Sequence, residues 1–245
     1  MITTASWVDS TLSTKLESLS FASLTDTVCI VSALPIALAT RFTGCWDTSG
    51  MQVTTELATL NRWDDIGKAF GTRAAANVDS CWCQRFLTKT DATNKAALRH
   101  EIESAAVPPG LIAYADGIPV GWSRVVPRDS LPGIVANPAL RRVLEPDPLA
   151  WWVTCCAIRQ DHRGHGIGGA LLQAGIDHAR RNGASVVEGH PVDVSRLVAR
   201  NVSASALFTG TFSMFEKAGF HEIARTYPSR PVMRVNTEAC SANRT

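Results

Sequence analysis

Hydrophobic and polar positions along this chain fall into runs with distinct periods. From Trp151 to Ile158 the residues WWVTCCAI are all apolar or small, which predicts a strand buried on both faces. A polar, glycine-bearing turn follows from Arg159 to Gly168. Ile167, Leu171 and Ala174 then recur at helical spacing, as do Leu172, Ile176 and Ala179, and this broad apolar stripe predicts a helix packed on the sheet. Ala184 to Glu188 reads as a further strand, and Thr211 to Ala218 as a helix stopped by Gly219. His221 to Tyr227 with Pro231 to Val235 read as a closing antiparallel pair.

Upstream of that stretch, Asp64 to Ala76 has the apolar spacing of a short helix broken by Gly67 and Gly71, and Cys81 to Leu87 reads as a short strand. Asn94 to Ala106 is a helix with Leu98, Ile102 and Ala105 on one face and Thr93 or Asn94 as its cap. Leu111 to Ala115 and Ile118 to Val126 flank Asp116-Gly117, a two-residue hairpin signal. Two long connections, Pro127 to Pro148 and Asp193 to Gly210, exceed the usual ~4–6 residues and invite a functional reading. The first is read as a surface insertion or a substrate lid. Residues 1–50 are rich in Ser, Thr and Ala and match no regular pattern, so the expected organisation is an N-terminal extension (1–50), one domain (51–238) and a C-terminal tail (239–245).

Composition narrows the class. A formal charge of +2 is small for a dedicated nucleic-acid binder. Val28 to Ala39 is the longest apolar stretch, shorter than a membrane span and interrupted by Pro35. Neither a nucleic-acid nor a membrane partner is therefore expected. The seven cysteines (Cys29, Cys45, Cys81, Cys83, Cys155, Cys156 and Cys240) are odd in number and include an adjacent pair, which favours reduced thiols and a cytoplasmic location over a disulfide framework. Cys81-Trp82-Cys83 lacks a second matching pair, so no metal site is expected.

The turn carries the chemistry. Gly164, Gly166 and Gly168 remove side chains where the helix begins, leaving first-turn N–H groups open at the positive end of the helix dipole, with Arg163 alongside. That is an anion site suited to a phosphate. No Lys follows the glycines, which argues against a P-loop, and the G-x-G-x-G spacing departs from a dinucleotide fingerprint, although Glu188 stands 20 residues beyond Gly168.

Gln160-Asp161-His162-Arg163-Gly164-His165-Gly166-Ile167-Gly168 with Ala170-Leu171-Leu172 resembles motif A of the GNAT family of N-acetyltransferases, and Phe215-Glu216-Lys217-Ala218-Gly219-Phe220 resembles their later Y-E-K-x-G-F signature. The resemblance covers roughly Ser80 to Val235. It implies an α/β fold with a mixed central sheet flanked by helices and splayed central strands. It further implies acetyl-CoA as co-substrate, with its pyrophosphate on Arg163, Gly164, His165, Gly166, Ile167 and Gly168 and its pantetheine beside Ala157 and Ile158. The family's tyrosine acid is replaced by Phe215, which has no proton to give and is expected against the pantetheine or in the core.

For the base, Glu188 leads, because it ends a hydrophobic run ahead of Gly189 and Pro191 where the strands are expected to splay; His190 and Asp193 follow. Trp82, Trp122, Trp151 and Trp152 are read chiefly as core, and Arg124, Arg128, Arg141 and Arg142 chiefly as solvated surface, with an acceptor role as the alternative for both sets. The expected activity is acetyl transfer to a primary amine, of a small molecule such as an antibiotic or xenobiotic, by direct attack in a ternary complex. A protein or peptide acceptor, a non-catalytic acyl-CoA sensor and a homodimer are the alternatives kept open.

Overall fold

Seven strands form one sheet in the order β1-β2-β3-β4-β5-β7-β6. They are β1 (Val53–Leu57), β2 (Gly110–Ala115), β3 (Ile118–Pro127), β4 (Ala150–Ile158), β5 (Val186–Gly189), β6 (His221–Tyr227) and β7 (Arg230–Asn236). The helices are α1 (Trp63–Ala69), α2 (Asn94–Ser104), α3 (Pro132–Val135), α4 (Pro138–Arg141), α5 (Ile167–Arg181) and α6 (Phe212–Lys217). This computed structural model describes residues 50–71, 82–88, 91, 93–197 and 207–237, all within the compact unit Leu38–Thr245. The expected extension up to residue 49, the tail at 239–245, residues 72–76 of the first expected helix, and Cys29, Cys45, Cys81 and Cys240 lie outside the described residues.

The expected mixed α/β architecture is present. Only β4 and β5 pair in parallel; every other neighbouring pair is antiparallel. Asp116 and Gly117 both take left-handed φ values, 48° and 81°, the turn that matches the twist of β2 and β3. Thr93 caps α2, accepting from Ala96 N–H at 3.1 Å. The stripe of α5, including Ile167, Leu171, Leu172 and Ile176, packs against Val120, Val125, Trp151, Val153 and Val187. On the opposite face α1 and α2 bring Ile66, Leu98 and Ile102 against Ile112 and Trp122. The sheet is thus covered on both sides, and β4 at its middle is buried from Ala150 to Cys156. No helix among the described residues is long and apolar enough to cross a membrane, and no described cluster of His, Cys, Asp or Glu could hold a metal ion.

Two expectations are corrected. Residues 82–88 form turns rather than a strand; Trp82 and Cys83 take φ values of 28° and 54°, outside any extended geometry. The apolar residues Trp82, Phe86 and Leu87 suggest a strand there, but Trp82 turns inward onto Trp63 and Phe70. Cys83 is bonded to Cys155 across 72 positions, so these two thiols are not reduced, while Cys156 is free and burial pushes its thiol up to about 12. The connection 127–148, read as a surface insertion or a substrate lid, is anchored at a few positions. Leu131, Ile134 and Leu140 are buried in a cluster with Val126, Trp152 and Val232.

Candidate active site

The turn between β4 and α5 is built as its glycines require. Gly164 and Gly166 sit at φ 84° and 72°, where an L side chain is strained, and Gly166 is the N-cap of α5. The first helical bond in the chain direction runs from Ala170 N–H to Gly166 O at 3.1 Å, which leaves the preceding N–H groups at the helix end to face outward. The first turn of α5 carries no acid, and its last turn carries His178, Arg180 and Arg181, so its dipole keeps a positive end at the turn. Arg163 is exposed, and its Nε donates to Ile158 O at 3.1 Å, tying the turn to the strand end. His165 is half-buried. Asp161, exposed beside the turn, is held down to about 2 by His162 first and then by Arg159. Gly168 has a different role: a side chain there would meet Met214 of α6 and Ile158.

β4 and β5 stay paired only from Ala150↔Val186 to Val153↔Gly189 and then separate. The gap is bridged by the chain ahead of α6. Cys156 N–H donates to Phe208 O at 2.7 Å, and Val192 N–H donates to Gly210 O at 3.0 Å. Ala157 and Ile158, expected beside the pantetheine, are the half-buried end of an otherwise buried strand and lie at this splay.

Of the three base candidates, Glu188 departs most from expectation. Its side chain is 0% exposed; Arg128 Nη1 lies 2.7 Å from Oε2, and Arg234 donates to Oε1 from Nε at 3.0 Å and Nη2 at 2.6 Å. Both oxygens are occupied by guanidinium donors, so the carboxylate is the centre of a buried, hydrogen-bonded ion cluster. Asp193 accepts from Ser195 Oγ at 2.5 Å and pairs with Arg225 Nη1 at 2.9 Å, and these partners lower its pKa, Ser195 foremost. His190 lies beside the β6–β7 hairpin, with Nε2 at 2.7 Å from Thr226 Oγ1 and 3.3 Å from Arg230 O. Burial, then the Arg230 charge, lowers it to about 4, so it stays neutral at physiological pH. Its Nε2 contacts a carbonyl, which makes Nε2 the protonated nitrogen and leaves Nδ1 as acceptor.

Phe215 is fully enclosed. Its ring meets Phe220 edge-on with centroids 4.7 Å apart, and it packs where side chains at Gly189 and Gly210 would stand. The core role applies, and the expected contact with a pantetheine has no open ring face to use. Trp82, Trp122, Trp151 and Trp152 are all buried. Arg124 and Arg128 are not solvated surface: they are 1% and 6% exposed, and Arg124 forks onto Glu101. Arg141 and Arg142 are exposed, as expected. Arg128 and Arg234 were missed as partners of Glu188. Sequence could flag only that a carboxylate inside a hydrophobic run needs a cation.

The model of the acetyltransferase (GNAT) family matches residues 75–202, just over half of the chain. No curated protein matches it. Among solved structures, a GCN5-related N-acetyltransferase from Kribbella flavida is similar at 18% identity and TM-score 0.45, covering 75% of this chain and 97% of its own. The PaiA N-acetyltransferase of Thermoplasma acidophilum, solved with coenzyme A, is similar at 16% identity and TM-score 0.44 over 76% of this chain and 99% of its own. A mosquito arylalkylamine N-acetyltransferase-like protein is similar at 13% identity and TM-score 0.47, over 76% and 100% respectively. With its glycine turn, splayed β4 and β5 and matched core, the chain belongs to the acetyltransferase (GNAT) family.

Proposed function

We propose that the chain transfers acetyl from acetyl-CoA to a primary amine of a small molecule, within an acetyltransferase domain spanning residues 51–238. The observation that carries this reading is the turn at Gly164 and Gly166, whose left-handed backbone opens the N-terminus of α5 to a pyrophosphate in a member of this family. Arg163 and the backbone from Gly164 to Gly168 hold the donor's phosphates, and the end of β4 at Ala157 and Ile158 orients its arm. The amine nitrogen then bonds to the acetyl carbon, the carbon–sulfur bond breaks and the thiolate leaves.

With Glu188 and Asp193 committed to arginines, the amine loses its proton to water before attack, or to His190 Nδ1. A proton acceptor with a pKa of about 4 is weak for an amine near ~10, which favours water. A second reading, an acyl-CoA sensor without turnover, is favoured by Phe215 in the acid position and by the ion-paired carboxylates. Coenzyme A release with a panel of primary amines distinguishes the two. Turnover that rises with pH as the amine loses its proton supports transfer, whereas saturable acetyl-CoA binding with no release on any amine supports the sensor.

A further inference from the structure

Arg85 and Arg230 stand near the splay and are not among the arginines that hold its carboxylates. Glu188 is held by Arg128 and Arg234, and Arg225 holds both Asp193 and Glu222. Arg230, at the start of β7, donates from Nη1 to Thr209 Oγ1 at 3.1 Å. The guanidinium of Arg85 lies over the Phe208 ring, 4.3 Å from its centroid. Phe208 and Thr209 are consecutive and belong to the segment that bridges β4 to the chain after β5, so both guanidinium groups stand against one short stretch at the mouth of the splay. Among the described residues neither arginine forms an ion pair with a carboxylate. Burial and then the Arg85 charge pull Arg230 below its usual range, so the two cations oppose each other.

Arg85 is exposed and Arg230 half-buried, so solvent screens part of their repulsion; an anion between them relieves the rest, and planar guanidinium forks suit carboxylate and phosphate oxygens. We propose that the acceptor carries an oxyanion group, a carboxylate or a phosphate, held between Arg85 and Arg230 beside Phe208. The inference rests on the acetyl-transfer reading and specifies its acceptor: an amine at one end, an oxyanion at the other. Arg85 and Arg230 are then binding residues that act on affinity rather than on the chemical step.

The test uses the full chain and matched pairs of amines, phenylalanine against phenethylamine and phosphoethanolamine against ethanolamine. Coenzyme A release is expected to favour an anion-bearing member, and the pair that responds identifies which oxyanion is read. Arg85→Gln and Arg230→Gln are expected to raise the KM for that member about 10- to 100-fold each, with kcat kept. Arg230→Lys should recover part of the loss. Neutral members used as well as their charged partners in both pairs, or equal loss for both members in the variants, overturn the proposal. Calorimetry with phenylacetate and phenyl phosphate, in the presence of coenzyme A, separates this inference from the activity. Binding that is lost in both glutamine variants supports the oxyanion site even if no amine turns over, in which case acetyl transfer alone fails. No binding of either anion to the wild-type chain overturns the site.

Discussion

The sulfur of Met214 fills the space that a side chain at Gly168 would need. The first turn of α5 and the start of α6 therefore touch through a glycine, and the glycine turn is braced by the helix that carries the second family signature. Gly168→Ala should destabilise the fold by about 1–3 kcal/mol through overpacking. Pairing it with Met214→Ala should recover much of that loss. Denaturant unfolding of the single and double variants measures the coupling, and strictly additive losses would refute the contact.

Gly164 and Gly166 fail differently when replaced. A methyl at Gly164 meets nothing within 4 Å, so its cost is that of the left-handed backbone. Gly164→Ala and Gly166→Ala should each cost about 1–2 kcal/mol if the backbone holds, or reshape the turn if it does not. Acetyl-CoA affinity, measured by calorimetry, should drop at least about tenfold for Gly166→Ala, because the N-cap of α5 then loses its geometry.

Glu188→Gln should cost stability before it costs chemistry. The substitution leaves two arginines beside a neutral amide in the interior, and breaking such a buried arrangement costs about 3–5 kcal/mol. Unfolding by guanidinium chloride reads this directly. A variant as stable as wild type but without turnover would return Glu188 to the role of base.

Phe215→Tyr, the change that restores the family's usual residue, is expected to lower stability and leave turnover unimproved. The ring tip faces Gly189 and Gly210 in full burial, so the added hydroxyl would lack a partner, at about 1–3 kcal/mol. Enhanced coenzyme A release in this variant would show that the ring reaches the donor.

Stability should fall as the solution is acidified below about 6.5, the ordinary histidine value. His190 is lowered to about 4 and His178 is also lowered, each foremost by burial, so the unfolded chain takes up those protons first. The His190 contribution is exhausted near pH 4, while the lowered carboxyls of Asp147 and Asp193 carry the loss further. Thermal melts from pH 7 to 4 should flatten in His190→Gln. An unchanged slope would count against the buried neutral imidazole.

Local signals carried most of the architecture. The run Trp151 to Ile158, the stripe of α5, the Asp116-Gly117 turn and the Thr93 cap each fix structure within a few residues, and each was legible. What was not legible depends on contacts between distant positions. Glu188 meets Arg128 and Arg234 from 60 and 46 positions away, and Cys83 meets Cys155 across 72. Such pairings follow from strand order, which periodicity does not specify. Residues 82–88 misled for a related reason: their apolar residues belong to turns held against α1 by Trp82.

The arrangement around Glu188 has an asymmetry of its own. Two guanidinium groups share the Glu188 carboxylate, the carbonyls of Glu145 and Asp147 accept from Arg128 Nη2 at 2.8 Å and 3.3 Å, and the charges of both arginines also act on the Asp147 carboxyl. Losing either arginine leaves Glu188 its other cation, whereas losing Glu188 leaves two buried guanidinium groups without the acid they share. The three positions therefore differ in replaceability. Natural variation should reach Arg128 or Arg234 before it reaches Glu188, and a second arginine loss should be tolerated only together with the acid.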